Sequence, residues 1–151
     1  MIKFQRSLMI DATVDEVWAV LERFMHIDEF APQIARVEAL SQNDAGLGAK
    51  RRNIFENGGS MVEEVIAWTP KQSFTVRLSE MDNMPLRAAQ STTSLTSKGG
   101  KTQVTWGFDY QVKFGPLGWV LGKTLMKMMM GKVIDANLKG LDALVQKRRL
   151  A

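Results

Sequence analysis

Few side chains in this chain of 151 residues could carry acid–base chemistry. The single histidine, His26, is a candidate general base, because an imidazole titrates near neutral pH. The other groups on offer for acid–base work in a closed pocket are Glu63, Tyr110 and Arg6. No carboxylate partner for His26 can be assigned from the sequence, so we favour the interpretation that this histidine lies at the surface.

Other kinds of chemistry are limited by residue type. The chain has no cysteine, which excludes disulfides, thiolate nucleophiles and cysteine-based zinc sites. One histidine cannot form a histidine-rich metal cluster. No phosphate-cradling loop of the pattern GxxxxGK[ST] occurs, because the two Gly-Lys-Thr strings, at 100–102 and 122–124, have leucine where the first glycine would stand. Gly46-Leu47-Gly48 is too short to cradle phosphates. We therefore predict no metal site and no cofactor.

The net charge of +4, with a pI near 9.5, raises the question of nucleic acid. Basic residues cluster only at Lys50–Arg52 and Lys147–Arg149, and aromatic residues are not interleaved with them as a base-stacking surface would require. We expect no nucleic-acid partner. No run of about eighteen apolar residues predicts a membrane span, and the first residues lack signal-peptide features. The expected location is the cytoplasm.

The elements that must position these groups begin with a strand. Ile2, Phe4, Leu8 and Ile10 alternate with polar residues, which is typical of a half-buried strand. A capping box then predicts the start of a helix, with Thr13 as N-cap and Glu16 three residues later. A second short helix is predicted around 27–30, ending before Pro32.

Six further strands are predicted between residues 36 and 114, separated by segments rich in Gly, Pro, Asn and Asp. Their short, even spacing favours an antiparallel meander. A long amphipathic helix should follow from Thr124 to about Lys147, while Leu117–Lys123 is predicted as a loop or a separate turn. The predicted strands are Val37–Gln42, Ala49–Phe55, Ser60–Trp68, Ser73–Glu80, Leu86–Thr96 and Thr102–Phe114.

Alternation in the last strand predicts its register. One face carries the apolar and aromatic side chains Val104, Trp106, Phe108, Tyr110, Val112 and Phe114. A slip of one residue would reverse the two faces, so this pattern fixes which side is buried. The strand before it is polar on both faces. Inward Ser91 and Thr93 would need a ligand or water as partner, or the strand could pack on a second subunit in a homodimer.

Local strings along nearly the whole chain resemble the START-related helix-grip superfamily (SRPBCC). They are Ile10-Asp11-Ala12 leading into Val17-Trp18, Gly48 with Arg51 before Gly58-Gly59, Glu63, Val104-Thr105-Trp106, and Phe114-Gly115-Pro116-Leu117-Gly118. The superfamily includes polyketide cyclase/dehydrase-like proteins, lipid-transport-like proteins, plant pathogenesis-related allergens and abscisic-acid receptors.

The resemblance implies one domain over residues 1–151 with an α+β helix-grip fold. A seven-stranded antiparallel sheet would wrap around a long C-terminal helix, with two short helices after the first strand. It also implies that a ligand cavity is lined from the concave sheet face and the long helix. By local match the lining residues are Glu63, Phe74, Val76, Ser91, Thr93, Leu95, Trp106, Phe108, Tyr110, Met129, Val133 and Asn137.

Two observations from the residues themselves bear on that cavity. Methionine is frequent, with ten in the chain and four between 126 and 130. Flexible thioethers suit varied apolar ligands, so Met129 and Met130 are candidates for the wall, although core packing explains them equally well. Glu63 could face inward as a perturbed carboxylate, or pair with Arg51 or Arg52 on the next strand, which we favour.

Three functions remain open. The leading hypothesis is a binder of a small hydrophobic molecule, lipid-like or polycyclic. The enzyme alternative is a polyketide cyclase, aromatase or dehydratase, although no catalytic residue can be assigned. The third is an interaction module whose cavity is incidental. A fold of this kind supports all three, so the site must discriminate between them.

Overall fold

The computed structural model describes residues 2–81, 86–113 and 115–151, without the side chains at positions 119, 121 and 122. The strands are β1 (Ile2–Ile10), β2 (Ile34–Ala39), β3 (Lys50–Phe55), β4 (Ser60–Thr69), β5 (Ser73–Ser79), β6 (Leu86–Lys98) and β7 (Lys101–Val112). The helices are α1 (Val14–Leu21), a 3₁₀ helix (Phe24–Glu29), α2 (Gly115–Leu121), a π-helical turn (Gly122–Met126) and α3 (Lys127–Arg149).

All seven strands form one antiparallel sheet in the order β1-β7-β6-β5-β4-β3-β2. Strands β2 to β7 therefore make the predicted meander, and β1 closes onto β7. Helix α3 contacts β1 and α1. The predicted α+β helix-grip architecture is confirmed.

The predicted register of β7 is confirmed over its central part. Val104, Trp106, Phe108 and Tyr110 are buried, and the residues between them are only half-buried. Because side chains alternate across a sheet, every second residue meets the core. The prediction for Phe114, like the turn at 83–85, falls outside the described residues.

Helix α1 begins at the predicted capping box. The Thr13 hydroxyl accepts a hydrogen bond from the Glu16 backbone N–H, and the Glu16 carboxylate accepts one from the Thr13 N–H. This satisfies two backbone donors that a helix start would leave unpaired. The same carboxylate accepts from Arg149 Nε at 2.9 Å, which ties the end of α3 to the start of α1.

The second short helix is a 3₁₀ helix and starts earlier than predicted, at Phe24. Leu21, Phe24, Ile27 and Phe30 are all buried. Leu21 ends α1, Phe24 and Ile27 lie in the 3₁₀ helix on either side of a kink at His26, and Phe30 is its C-cap. Their burial shows that all four side chains face the core. Residues 21–30, which run from the end of α1 through the 3₁₀ helix to its C-cap, form a mainly apolar wall over the sheet, which we call the α1–3₁₀ wall.

Helix α3 passes very close to that wall. A Cβ added at Gly140 would overlap the Phe30 carbonyl oxygen and lie 3.0 Å from the Phe30 carbonyl carbon. Only glycine lets the two backbones approach so closely at this position. Gly140 therefore sets the distance between α3 and the α1–3₁₀ wall.

Two boundaries differ from the sequence prediction. Strand β2 covers Ile34–Ala39 instead of 37–42, because pairing with β3 begins at Ile34↔Phe55 and passes a register shift before Arg36. The stretch 117–123, predicted as a loop or separate turn, is α2 followed by the π-helical turn. Its glycines lower helix propensity, but the segment continues directly into α3.

Candidate functional site

A pocket lies between the concave face of the sheet and the α1–3₁₀ wall. The wall contributes one set of lining residues, and strands β3 to β7 contribute the other. The lining residues are Leu21, Arg23, Ile27, Phe30, Arg51, Glu63, Phe74, Val76, Ser91, Thr93 and Trp106.

The free space in this pocket is small. The volume of the cavity is about 10 Å³. That is room for roughly one water molecule, whereas pockets for small organic ligands measure about 300–1,000 Å³. In this structure the side chains of the wall and the sheet nearly fill the interior between them.

One corner of the pocket is ionic. Arg51 donates to Glu63 Oε1 from Nε at 2.9 Å and from Nη2 at 2.6 Å. Asn53 Nδ2 donates to the same oxygen at 2.6 Å. All three residues are buried, and none of these bonds uses Glu63 Oε2. The predicted pairing of Glu63 with a neighbouring arginine is confirmed, and Glu63 also faces inward.

Arg51 also joins the sheet to the α1–3₁₀ wall. Its Nη1 donates to the Phe24 backbone carbonyl, and its guanidinium lies 3.7 Å from the centre of the Phe24 ring. Burial lowers the pKa of Arg51, and the nearby Glu63 carboxylate opposes this shift. Since an arginine starts from a very high pKa, the group stays charged and needs these partners.

A second polar group lies on β6 and β7. Trp106 Nε1 donates to the Ser91 hydroxyl at 2.7 Å, and both residues are buried. The Ser91 hydroxyl keeps its own proton to donate, because a hydroxyl is both donor and acceptor. Thr93 lies two residues along β6 on the same face and is also buried. The inward polar row predicted for β6 is present.

The structure brings together only part of the predicted site. Phe108 and Tyr110 are buried but do not line the pocket, and they pack with Phe4 at ring-centre distances of 6.0 and 6.1 Å. Leu95 is half-buried at the edge of the core. The predicted residues that do line the pocket are Glu63, Phe74, Val76, Ser91, Thr93 and Trp106.

The candidates on α3 lie outside this pocket. Asn137 is buried, Val133 and Met130 are half-buried, and Met129 is 53% exposed. Because one turn of an α-helix takes 3.6 residues, each side chain four residues further along is rotated by about 40° around the helix axis. Met129 is therefore rotated toward solvent while Asn137 points into the protein. The helical part of the pocket is the α1–3₁₀ wall, not α3.

The acid–base candidates are dispersed. His26 is exposed, as favoured from the sequence. Arg6 lies over the Phe4 ring and pairs with Asp135 at 3.7 Å. Tyr110 is fully buried, and desolvation raises its pKa. Of these four groups only Glu63 lines the pocket.

Sequence reasoning missed the pocket residues that come from the α1–3₁₀ wall. These are Leu21, Arg23, Ile27 and Phe30. A signal was present, because apolar residues recur every three positions from 21 to 30. That period indicates a buried 3₁₀ segment, but it is short and resembles the end of an α-helix.

The described ranges hold no group of three or more His, Asp or Glu side chains arranged to bind a metal ion. Within the same ranges, no helix is both long and apolar enough to cross a membrane.

Comparison with known proteins identifies the sequence family and the fold. The family model described as "Polyketide cyclase / dehydrase and lipid transport" matches residues 1–146. No curated protein matches the chain significantly.

Solved structures share the fold at low sequence identity. A protein from Thermus thermophilus is 16% identical with a TM-score of 0.79, covering 97% of this chain and 99% of its own. XoxI from Bacillus cereus is 16% identical with a TM-score of 0.78, and 99% of each chain is covered. Ara h 8.0201 is 14% identical with a TM-score of 0.71, covering 97% of this chain and 98% of its own.

Proposed function

Since the chain belongs to the polyketide cyclase/dehydrase and lipid transport family, we propose that it binds one small, mainly apolar molecule between the sheet and the α1–3₁₀ wall. The molecule would carry an oxygen-containing group at one end. Lipid-like and polycyclic compounds both fit this description.

The composition of the pocket wall carries the proposal. Most of the lining surface comes from apolar and aromatic side chains, among them Phe30, Phe74, Val76 and Trp106. Small-molecule sites are typically apolar with a few placed polar groups that fix orientation. The ionic corner at Arg51 and Glu63, with the nearby Ser91 hydroxyl, would supply those groups.

Ligand entry would require the pocket to enlarge from about 10 Å³. The α1–3₁₀ wall is the part we expect to move, because it is joined to the sheet through side chains and not through strand pairing. Arg51 makes a polar link between the two, through the Phe24 carbonyl and the Phe24 ring. A ligand that replaced these contacts would offset the cost of moving the wall.

The hydrogen bonds of Glu63, the one predicted acid–base candidate that lines the pocket, favour binding over catalysis. The Glu63 carboxylate accepts three hydrogen bonds from Arg51 and Asn53. All three bonds go to Oε1 and fix the orientation of this carboxylate within an ionic network. His26, Tyr110 and Arg6 do not line the pocket, so no second acid–base candidate of the predicted set lies there to act with Glu63.

One observation supports a different function. An interior with room for roughly one water is what an interaction module with an incidental cavity would have. That function would need no enlargement of the pocket and no copurified molecule.

Native mass spectrometry of freshly purified protein separates the two functions, since a bound molecule adds a discrete mass. Titration with an environment-sensitive apolar dye then tests the site. Val76→Phe adds volume inside the pocket, whereas Val133→Phe adds the same volume on α3 outside it. We expect Val76→Phe to abolish dye binding and Val133→Phe to leave it intact.

Both variants must first be shown to remain folded, by near-ultraviolet circular dichroism. Equal loss of dye binding in the two variants would place the dye elsewhere. If the wild type carries no added mass and binds no dye, the ligand-binding proposal gives way to the interaction module.

A further inference from the structure

Exposed apolar side chains are concentrated in one segment. Within the described part of the chain nine large hydrophobic residues are exposed, and five of them fall between positions 117 and 129. They are Leu117, Val120, Leu125, Met128 and Met129, exposed by 69, 52, 48, 54 and 53%. Scattered exposed apolar residues are normal, but a cluster on one segment marks an interaction surface.

The core does not account for this cluster. Met126 and Met130 are packed against the core, and Ile134 is buried in it. These residues are four apart and lie on the inner side of the segment. Met128 lies on the opposite side of the helix, and Met129 lies between the two sides with 53% of its surface exposed. The segment is therefore apolar both toward the core and toward solvent.

The π-helical turn aligns the two halves of the exposed cluster. Val120 and Leu125 are five residues apart, across the turn at Gly122–Met126. In a regular α-helix, side chains five residues apart point in very different directions, because one turn takes 3.6 residues. A π turn takes more residues per turn, so side chains five residues apart point in more similar directions. Leu117 and Val120 on α2 thus continue toward Leu125 and Met128 on one face.

Within the segment that carries this face, the charged side chains have a single sign. From 110 to 134 the sequence contains no Asp or Glu and four lysines, namely Lys113, Lys123, Lys127 and Lys132. Lys113, Lys123 and Lys132 are exposed, and Lys127 is half-exposed. The five exposed apolar residues together with these lysines form what we call the apolar–basic face.

We propose that the apolar–basic face docks on the surface of an anionic lipid bilayer. A helix that lies in a membrane interface combines apolar side chains, which enter the acyl boundary, with lysines, which meet the headgroups. Anionic lipids attract such lysines, and the attraction falls off within a Debye length. Unbranched methionine side chains adapt to a fluid partner.

The positive charge of the apolar–basic face makes a second copy of this chain an unfavourable partner. Two such faces packed together would bring eight lysines near each other with no carboxylate from residues 110–134 to balance them. Like charges across an interface oppose association. An anionic bilayer supplies the opposite sign over the whole face.

Vesicle co-flotation tests the proposal on the full chain. Vesicles of phosphatidylcholine alone are compared with vesicles that also contain phosphatidylglycerol. We expect binding only to the second kind, weakening as salt is added. Replacing Lys123 and Lys127 by Gln should weaken binding about fivefold per lysine, since each contributes near an anionic surface. The double variant Met128→Glu/Met129→Glu should lose binding.

The matched control places the same charges on exposed leucines elsewhere, as Leu40→Glu/Leu47→Glu. This control should bind anionic vesicles almost as the wild type does, and circular dichroism checks that all variants are folded. Absence of wild-type binding, or equal loss in both glutamate variants, would overturn the proposal. The proposal would also be overturned if Met128→Glu/Met129→Glu left lipid binding intact and instead abolished self-association without vesicles, or abolished binding to an acidic protein.

Discussion

Arg51 donates to a single carboxylate oxygen of Glu63 from both Nε and Nη2, at 2.9 and 2.6 Å. Both side chains are buried, with 4 and 6% of their surfaces exposed. Taking two charges out of water is costly, and their attraction offsets that cost only while both are present. Removing both charges therefore has a different effect on stability from removing only one of them.

We expect Glu63→Gln to destabilise the protein by about 3–5 kcal/mol, because Arg51 would keep its charge in a buried site without a counter-charge. The double variant Arg51→Met/Glu63→Leu should recover part of this loss, since the Asn53 amide and the Phe24 carbonyl each lose a partner in it. Urea unfolding followed by circular dichroism measures both. Glu38→Gln is the control, because the Arg36–Glu38 pair is exposed and should contribute no more than about 1 kcal/mol. Equal effects of Glu63→Gln and Glu38→Gln would contradict this account.

Two glycines of α3 should differ in how much stability is lost when each is replaced by alanine. At Gly140 the new Cβ meets the Phe30 backbone carbonyl, which cannot move without shifting the α1–3₁₀ wall. We expect Gly140→Ala to destabilise the fold by about 1–3 kcal/mol or more. At Gly131 the Cβ meets the end of the flexible Arg6 side chain, 2.6 Å from Nη2. Gly131→Ala should cost little, because alanine raises helix propensity by about 1 kcal/mol.

Thermal unfolding of the two alanine variants provides the measurement. A Gly140→Ala protein as stable as the wild type would show that α3 does not approach Phe30 so closely.

Tyr110 is the single tyrosine, so ultraviolet absorbance of tyrosinate reports on it alone. Burial raises its pKa above the ordinary value. The unfolded pKa of a tyrosine is about 10. Because the folded pKa is higher, the neutral side chain stabilises the fold at pH values below the unfolded pKa, and this stability is lost as pH rises through the folded pKa. We expect tyrosinate to form at a pH above 10 in the native protein and at about pH 10 in denaturant. Coinciding titrations would contradict the burial of this ring.

Glu16 should contribute stability in the opposite pH range. The Thr13 backbone hydrogen bond, aided by Arg149, lowers the pKa of the Glu16 carboxyl. A lowered folded pKa stabilises the protein above the unfolded value, and this contribution disappears as pH falls through the folded value. The difference in stability between wild type and Glu16→Gln should therefore vanish in acid. A difference that persists unchanged at low pH would rule out the carboxylate as its source.

The sheet could be predicted from the sequence because its signals are local. Alternation gives the buried face of β7, and turn residues separate the strands near their observed ends. The capping box at Thr13 is a pattern of four residues and needs no tertiary information. On the sheet side of the pocket, Trp106, Phe74 and Val76 follow from the same alternation, whereas Glu63 and Ser91 were expected there from the family resemblance.

The helical side of the pocket could not be predicted in this way. Which face of α3 meets the sheet depends on how the helix is rotated, and the close approach at Gly140 helps to set that rotation. The packing of the 3₁₀ helix over Arg51 depends on contacts between Phe24 and a strand 27 residues further along the chain. The recurrence of apolar residues at every third position from 21 to 30 indicates that one side of this segment is buried, but it does not indicate which strand that side contacts.

The pairing of β1 with β7 has a consequence for how the protein folds. Ser7 and Thr105 share a hydrogen bond of 2.9 Å although 98 residues separate them. A newly made chain must therefore keep β1 without its partner until most of the meander has emerged. Pairing over such sequence separations carries a large loop-closure entropy and slows folding, toward the millisecond-to-second range of sheet-rich domains. During that interval the alternating apolar face of β1 is exposed to misassembly, and the closing of β7 onto it is the step that a chaperone would protect.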